Sequence, residues 1–275
     1  MADPKTLDSA ELRFIAMDMD GTILDEGYQL SPRVVQTLNR LQRQGKKLII
    51  ATGRIYAAAH GFLRGAFEPD AFVCTNGADI YGPHGTRIAA HHIPEQALPA
   101  LAAAGRHHAG HELLFCCYAG DQWIYEHPSA MVDFYEKRSG VRGLRQSFDS
   151  LAGESIQKFL AIGPHETLLS MREEIVNSAD GLLETAFSHE TMLEIMASGV
   201  SKRRGLEECL RYFDGTLDEA VAFGDAENDL EMLKAVKAGV AMGNSHASIQ
   251  AEVPFVTESV DEDGVARFLE RIFGL

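Results

Sequence analysis

The chain has 275 residues, 45% of them hydrophobic and 24% charged, enough for one large or two modest packed domains of ordinary globular composition. With 25 basic and 40 acidic residues the formal net charge is −15, which excludes a general nucleic-acid or anionic-membrane binder. An anionic ligand would therefore need a site made locally positive. No apolar run approaches the ~18 residues of a membrane span, and the first dozen residues lack the basic start and apolar stretch of a secretory leader. Cys74, Cys116, Cys117 and Cys209 show no metal-ligand or redox spacing and read as free core thiols in a reducing cytoplasm.

The first element is Phe14-Ile15-Ala16-Met17, nearly continuous in apolar character, which predicts a strand buried on both faces. It runs into Asp18-Met19-Asp20-Gly21-Thr22. Side chains two apart on an extended segment point the same way, so Asp18 and Asp20 are held close together. Two such carboxylates need a cation between them or a proton on one. Mg²⁺, a hard cation that takes oxygen ligands, answers that need. Gly21 permits the sharp turn, and Thr22 adds a hydroxyl.

Ser31-Pro32 then predicts a helix start, Val34, Val35, Leu38 and Leu41 its apolar stripe, and Gly45 its end. Lys47–Ala51 is a second buried strand, closing on Thr52-Gly53-Arg54. A helix over about 55–66 leads to a third strand, Ala71–Cys74, and to Thr75-Asn76-Gly77. Strand–helix–strand with short connections implies a parallel sheet, and ligands bind outside the carboxyl ends of such strands.

The rhythm changes near Tyr81-Gly82-Pro83. A short strand at 87–91 and an Ala-rich helix from Pro94 to about Ala109 are followed by a hairpin, 112–118 and 122–126, around Ala119-Gly120-Asp121. A helix at about 129–139, a loop, a strand at Ile156–Ile162, a helix to about Ser178 and a second hairpin, 182–187 with 191–196, complete an α+β pattern. The expected division is a doubly wound α/β core from residues 1–83 and 191–275, with an inserted α+β domain at 84–190. His107, His108 and His111 sit at helical spacing, but no third ligand at a usual distance completes a zinc set.

From Lys202 the first rhythm returns: a helix over about 202–213, a strand at 220–223 ending on Gly224-Asp225, a helix over about 228–238, and a short strand at 239–242. An edge strand at 252–257 holding Pro254 and a last helix at about 264–273 follow. Asp18, Asp20, Thr52, Lys202, Asp225 and Asp229 thereby converge on one sheet edge. Three carboxylates able to hold Mg²⁺, a hydroxyl and an ammonium together describe a site for an anionic ligand.

These residues resemble the haloacid dehalogenase superfamily of phosphohydrolases. Asp-Met-Asp-Gly-Thr (18–22) looks like its first motif, Thr52 its second, Lys202 its third and Gly-Asp-Ala-Glu-Asn-Asp (224–229) its fourth. Thr-Asn-Gly-Ala (75–78), Gly-Val-Ser-Lys (199–202), Met-Gly-Asn (242–244) and Asp-Gly-Val-Ala (263–266) resemble the Cof-type branch, which carries a type IIB α/β cap. Two departures stand out. Arg203 and Arg204 follow the lysine, where that branch usually has Gly, here displaced to Gly205, and Ser245 follows Met-Gly-Asn where Ala is usual.

The resemblance implies a cytoplasmic, Mg²⁺-dependent phosphomonoesterase acting on a small phosphorylated metabolite, with neither nucleic acid nor membrane as partner. Sugar phosphates come first as substrates, and phosphorylated cofactors such as pyridoxal phosphate or flavin precursors next. Asp18 would attack phosphorus and become an aspartyl-phosphate. Asp20 would act as general acid and then as base. Thr52 and Lys202 would hold the phosphoryl oxygens. Asp18, the backbone carbonyl of Asp20 and Asp225 would bind the metal, supported by Asp229 and Asn228. Gly53, Arg54, Asn76 and Asn228 are the expected substrate contacts, and the cap would close over the site. Two alternatives stay open: a phosphotransferase or phosphomutase on the same fold, and a non-catalytic binding protein.

Overall fold

The computed structural model describes residues 4, 7–120, 122–139 and 141–275. Asp121 of the expected hairpin turn and Gly140 of the expected loop lie outside the described residues. The chain forms two compact units, residues 1–89 with 201–275, and residues 90–200.

The first unit begins with β1 (Phe14–Met17), fully buried as its apolar run requires. Helix α1 (Pro32–Arg43) starts at Ser31, whose hydroxyl accepts the Arg33 N–H, and buries Val34, Leu38 and Leu41. Strand β2 (Lys47–Ala51) follows, with Leu48, Ile49 and Ile50 fully buried, each worth about 1.5–3 kcal/mol. Next come α2 (Tyr56–Leu63), β3 (Ala71–Cys74), β4 (Asp79–Tyr81) and β5 (Arg87–Ala90).

In the second unit, α3 (Leu98–His107) precedes β6 (Leu114–Ala119), β7 (Gln122–Tyr125), α4 (Met131–Ser139) and β8 (Leu144–Arg145). Strand β9 (Ile156–Ile162), α5 (His165–Ser178), β10 (Leu183–His189) and β11 (Met192–Ala197) complete it. Its six strands run in the order β10-β11-β9-β6-β7-β8, with every pairing antiparallel except β7 with β8. Helices α3 and α5 contribute Leu101, Ala104, Leu168, Met171 and Ile175 to the core built on the sheet residues Phe115, Phe159 and Leu193.

The chain then returns to the first unit with α6 (Lys202–Tyr212), β12 (Ala220–Gly224), α7 (Glu227–Ala235), β13 (Ala238–Ala241), α8 (Ala247–Ala251), β14 (Phe255–Val256) and α9 (Gly264–Phe273). Its sheet has the order β14-β13-β12-β1-β2-β3-β4-β5. The run from β14 to β3 is parallel, and β4 folds back antiparallel on β3. Apolar clusters cover both faces, one including α1 and α9 residues and the other α6 and α7 residues. This is the doubly wound α/β arrangement expected, with β1 at its centre.

The domain limits of 84–190 need correction at both ends. Residues 84–89 stay with the first unit because β5 joins the edge of its sheet. Residues 191–200 belong to the second, because β11 is an interior strand there, paired with both β10 and β9. The turn and strand signals mark the hairpin, but they do not say which sheet receives its second strand.

Candidate active site

The carboxyl ends of β1, β2, β3 and β12 carry the residues singled out above. Asp18 follows β1 directly, its backbone N–H donating to Phe223 O across the β1–β12 pairing at 3.0 Å. Gly21 turns the chain with φ +74°, and a Cβ there would stand 2.4 Å from Asp225 Oδ2. Glycine thus gives the turn its left-handed conformation and also the clearance that lets Asp225 approach. Thr22 Oγ1 donates to Asp225 Oδ1 at 3.3 Å. Asn244 Nδ2 donates to Gly21 O at 2.9 Å, so the Met-Gly-Asn stretch braces this turn.

Lys202, at the first position of α6, is 1% exposed and places its Nζ 2.7 Å from both Asp18 Oδ1 and Asp229 Oδ1. Two of its three N–H donors are used, and the third is available to a ligand. The helix reaches this position through a backbone contact: a Cβ on Gly205 would lie 2.5 Å from Val73 Cγ1 and 2.8 Å from Gly77 Cα. Gly205, the displaced glycine of the third motif, is therefore the place where α6 packs on the end of β3.

Asp229 lies in the first turn of α7 and is completely buried. Its Oδ2 accepts the N–H groups of Asp225 at 3.0 Å and Ala226 at 3.1 Å, while its Oδ1 takes Lys202. Both oxygens thus hold the site together. Oxygens from Asp18, Asp225 and Asp229 lie within 4.8 Å of one another, a spacing that suits a metal ion. Burial, opposed by Lys202 but reinforced by Asp229, Asp225 and Asp20, pushes the Asp18 carboxyl well above its ordinary range. Burial and Asp229 push Asp225 up to about 7. Burial would lower Lys202, but its two carboxylate partners hold it above its ordinary value. An all-oxygen donor set with more negative than positive charge fits a hard divalent cation.

The Asp20 carboxylate is not one of the three that converge. Arg54 grips it with two bonds, Nε to Oδ2 at 2.8 Å and the terminal nitrogen to Oδ1 at 2.6 Å, and its guanidinium lies 4.4 Å from the centre of the Phe62 ring. Thr52, buried after β2, accepts the Arg54 N–H on Oγ1 at 3.2 Å, which leaves its own O–H to donate. Gly53 occupies the bend between them.

Beyond β3, Thr75 and Asn76 both adopt the left-handed conformation, at φ 53° and 55°. That is costly for a β-branched residue. Bonds from Thr75 N to Arg54 O (2.9 Å) and Asn76 N to Thr52 O (3.0 Å) hold it. Asn76 Oδ1 accepts from Asn228 Nδ2 at 3.0 Å. Asn228 Oδ1 and Thr75 Oγ1 are buried with no hydrogen-bond partner among the described residues. The sequence-predicted site residues thus lie at this edge in three linked groups, Asp18–Lys202–Asp229–Asp225, Asp20–Arg54–Thr52 with Gly53 in the bend between the last two, and Asn76–Asn228. Asn244 is the member that sequence reasoning left without a role. Its signal was the Met-Gly-Asn motif.

Comparison with known proteins gives a consistent result. The sequence model of the haloacid dehalogenase-like hydrolases matches residues 15–269. The chain is 30% identical over 270 residues to the pyridoxal phosphate phosphatase YbhA of Escherichia coli K12, covering 94% of this chain and 97% of that one. It is 28% identical over 270 residues to the 5-amino-6-(5-phospho-D-ribitylamino)uracil phosphatase YitU of Bacillus subtilis, covering 95% and 97%. The fold of a subclass IIB sugar phosphatase superposes with a TM-score of 0.84 at 24% identity, over 95% of this chain and 99% of that one.

Proposed function

The chain belongs to the haloacid dehalogenase-like hydrolases, and from that premise we propose that it hydrolyses phosphomonoesters of small metabolites through an aspartyl-phosphate on Asp18, with Mg²⁺ as its metal. It is a phosphatase of the Cof-type branch. The observation that carries the mechanism is the position of Asp18: one oxygen held by Lys202 at 2.7 Å, in a cluster of three converging carboxylates.

Asp18 attacks the phosphorus atom, and the bond to the leaving oxygen breaks. Asp20, which leaves its Arg54 pair and takes up a proton from solvent, delivers that proton to the leaving oxygen and then takes one from the water that attacks the aspartyl-phosphate, releasing phosphate and restoring Asp18. Until that pair parts, Arg54 sets the aim of Asp20. The Lys202 ammonium and the Thr52 hydroxyl donate to the phosphoryl oxygens, where charge develops. They also supply the local positive charge that an acidic chain needs around an anionic substrate. Asp18, the Asp20 carbonyl and Asp225 would hold the Mg²⁺, whose charge would screen the repulsion between carboxylate and phosphate. Asp229 supports this arrangement through the bonds described above, and Asn228 with Asn76 lines the substrate side.

Substrate choice is assigned to the inserted unit, residues 90–200. Phosphorylated ring cofactors and their precursors are favoured over simple sugar phosphates, because the relatives YbhA and YitU act on pyridoxal phosphate and a ribitylaminouracil phosphate. This reverses the ranking expected from the sequence. A cytoplasmic setting fits four buried free thiols, and no helix among the described residues is long and apolar enough to cross a membrane. The test is phosphate release from pyridoxal 5′-phosphate, the ribitylaminouracil phosphate and a set of hexose phosphates, with Mg²⁺ and with EDTA. Mg²⁺-dependent release with the ring compounds ranked first is expected. Release unaffected by EDTA would refute the metal, and hexose phosphates ranked first would refute the substrate class.

A further inference from the structure

A second cluster of metal-ligating side chains lies entirely within the unit of residues 90–200, where the sequence offered an incomplete histidine set. His107 ends α3 and His108 caps it, so the two rings project side by side with centroids 4.6 Å apart. They present different nitrogens to one atom. His107 Nδ1 lies 2.6 Å and His108 Nε2 3.0 Å from the same Oε2 of Glu174 on α5. His111, four residues beyond His107, is not part of this cluster. The third partner comes from 66 residues downstream of His108, across the α3–α5 packing, where no spacing rule could find it.

We propose that His107, His108 and Glu174 form a site for a borderline first-row divalent cation of the Zn²⁺ class. The three ligand atoms lie within 4.8 Å of one another. A tetrahedral zinc with bonds of ~2.0–2.2 Å asks for ligand separations of roughly 3.3–3.5 Å, so small rotations of the side chains open the triangle enough. Two imidazoles and one carboxylate suit Zn²⁺ far better than Mg²⁺, which prefers oxygen alone. The proton now shared with Oε2 on each ring nitrogen moves to the other nitrogen of that ring, or leaves to solvent from an imidazolium. Each freed lone pair then binds the ion.

The surroundings give the site its character. The His108 side chain is 10% exposed and fixed by packing, whereas His107 is 70% and Glu174 32% exposed. The ion can therefore enter from solvent and keep water in its fourth position, as an exchangeable site does and a closed structural site does not. Bound there, the ion joins the end of α3 to the middle of α5 and stiffens the unit assigned to substrate choice. The cluster shares no residue with the Asp18 site.

The experiment is titration of the full chain with Zn²⁺ under saturating Mg²⁺, which occupies the carboxylate site, for wild type, His107→Ala and the His107→Ala/His108→Ala double variant. Co²⁺ absorbance in the visible is recorded in parallel. Wild type is expected to bind one more Zn²⁺ than the double variant and to show Co²⁺ bands that the double variant lacks. His107→Ala changes a surface side chain, leaves folding undisturbed, and is expected to weaken zinc binding at least about tenfold. Mg²⁺-dependent turnover of p-nitrophenyl phosphate in all three proteins checks that each is folded. Equal Zn²⁺ stoichiometry and affinity in wild type and His107→Ala, or the same Co²⁺ spectrum with and without the histidines, would overturn the proposal.

Discussion

Lys202→Met is the substitution whose consequences the site geometry fixes most tightly. Methionine matches the lysine stem in length and volume, so it removes the charge and leaves little cavity. Lys202 is 1% exposed and ion-paired at 2.7 Å to two carboxylates that are themselves buried. Removing the cation strands Asp18 and Asp229 opposite each other with Asp225 close by. Breaking a buried pair this way costs about 3–5 kcal/mol. At ~2–4 °C per kcal/mol for a large domain, the metal-free protein should melt about 6–20 °C lower. Mg²⁺ should recover part of that loss, because it supplies positive charge to the same oxygens and stabilises the folded state by mass action. Activity should fall further than stability: loss of a donor aimed at developing charge costs about 10²–10³ in kcat. The assays are thermal melts with and without Mg²⁺, and turnover of p-nitrophenyl phosphate well below the melting range. A variant that melts and turns over like the wild type would refute the view that Lys202 is the hub of this site.

Further predictions come from the supports of the site. Gly205→Ala drives a Cβ to 2.5 Å from Val73 Cγ1, an overpacking worth about 1–3 kcal/mol, and should lower both the urea midpoint and kcat as α6 shifts Lys202. Gly77→Ala should be worse, because its Cβ would meet Ser201 O at 2.2 Å and its φ is +98°. Wild-type stability in both variants would contradict the packing argument. Elsewhere in the unit, hydrogen bonds from Arg33 and Thr37 hold the Glu270 carboxyl below its ordinary value. A depressed acid contributes stability that is present above its unfolded value and lost as pH falls through the folded one. The melting-temperature gap between wild type and Glu270→Gln should therefore be open near neutrality and close in acid, and a gap independent of pH would count against it.

The legible parts of this protein are those where one local signal suffices. Near-continuous apolar runs marked β1, β2 and β3 to the residue, because a strand buried on both faces leaves little room for polar positions. Ser31-Pro32 marked the start of α1 for an equally local reason. Strand β4, three residues folded back on β3, left no periodic trace, and neither did two-residue β8 or five-residue α8. The limits of the inserted unit were missed because strand partnership is a tertiary fact: β11 reads the same whichever sheet it joins. At the site, residue types placed after strand ends were enough to gather Asp18, Lys202, Asp225 and Asp229. What the sequence withheld is which partner each carboxylate takes. Adjacent Asp18 and Asp20 looked like a pair, yet Asp18 goes to Lys202 and Asp20 to Arg54. Glu174 was invisible for the same reason, since helix packing brings it to His108.

The most direct test of the central claim is to identify the phosphorylated residue. Wild-type enzyme mixed with a good substrate and Mg²⁺, quenched in acid during the first turnover and digested, should give one phosphorylated peptide, with the phosphoryl group on the Asp18 carboxylate, labile to hydroxylamine. Asp18→Asn should give neither that peptide nor phosphate release. Phosphate release that survives Asp18→Asn, or a label on any other side chain, would contradict the account.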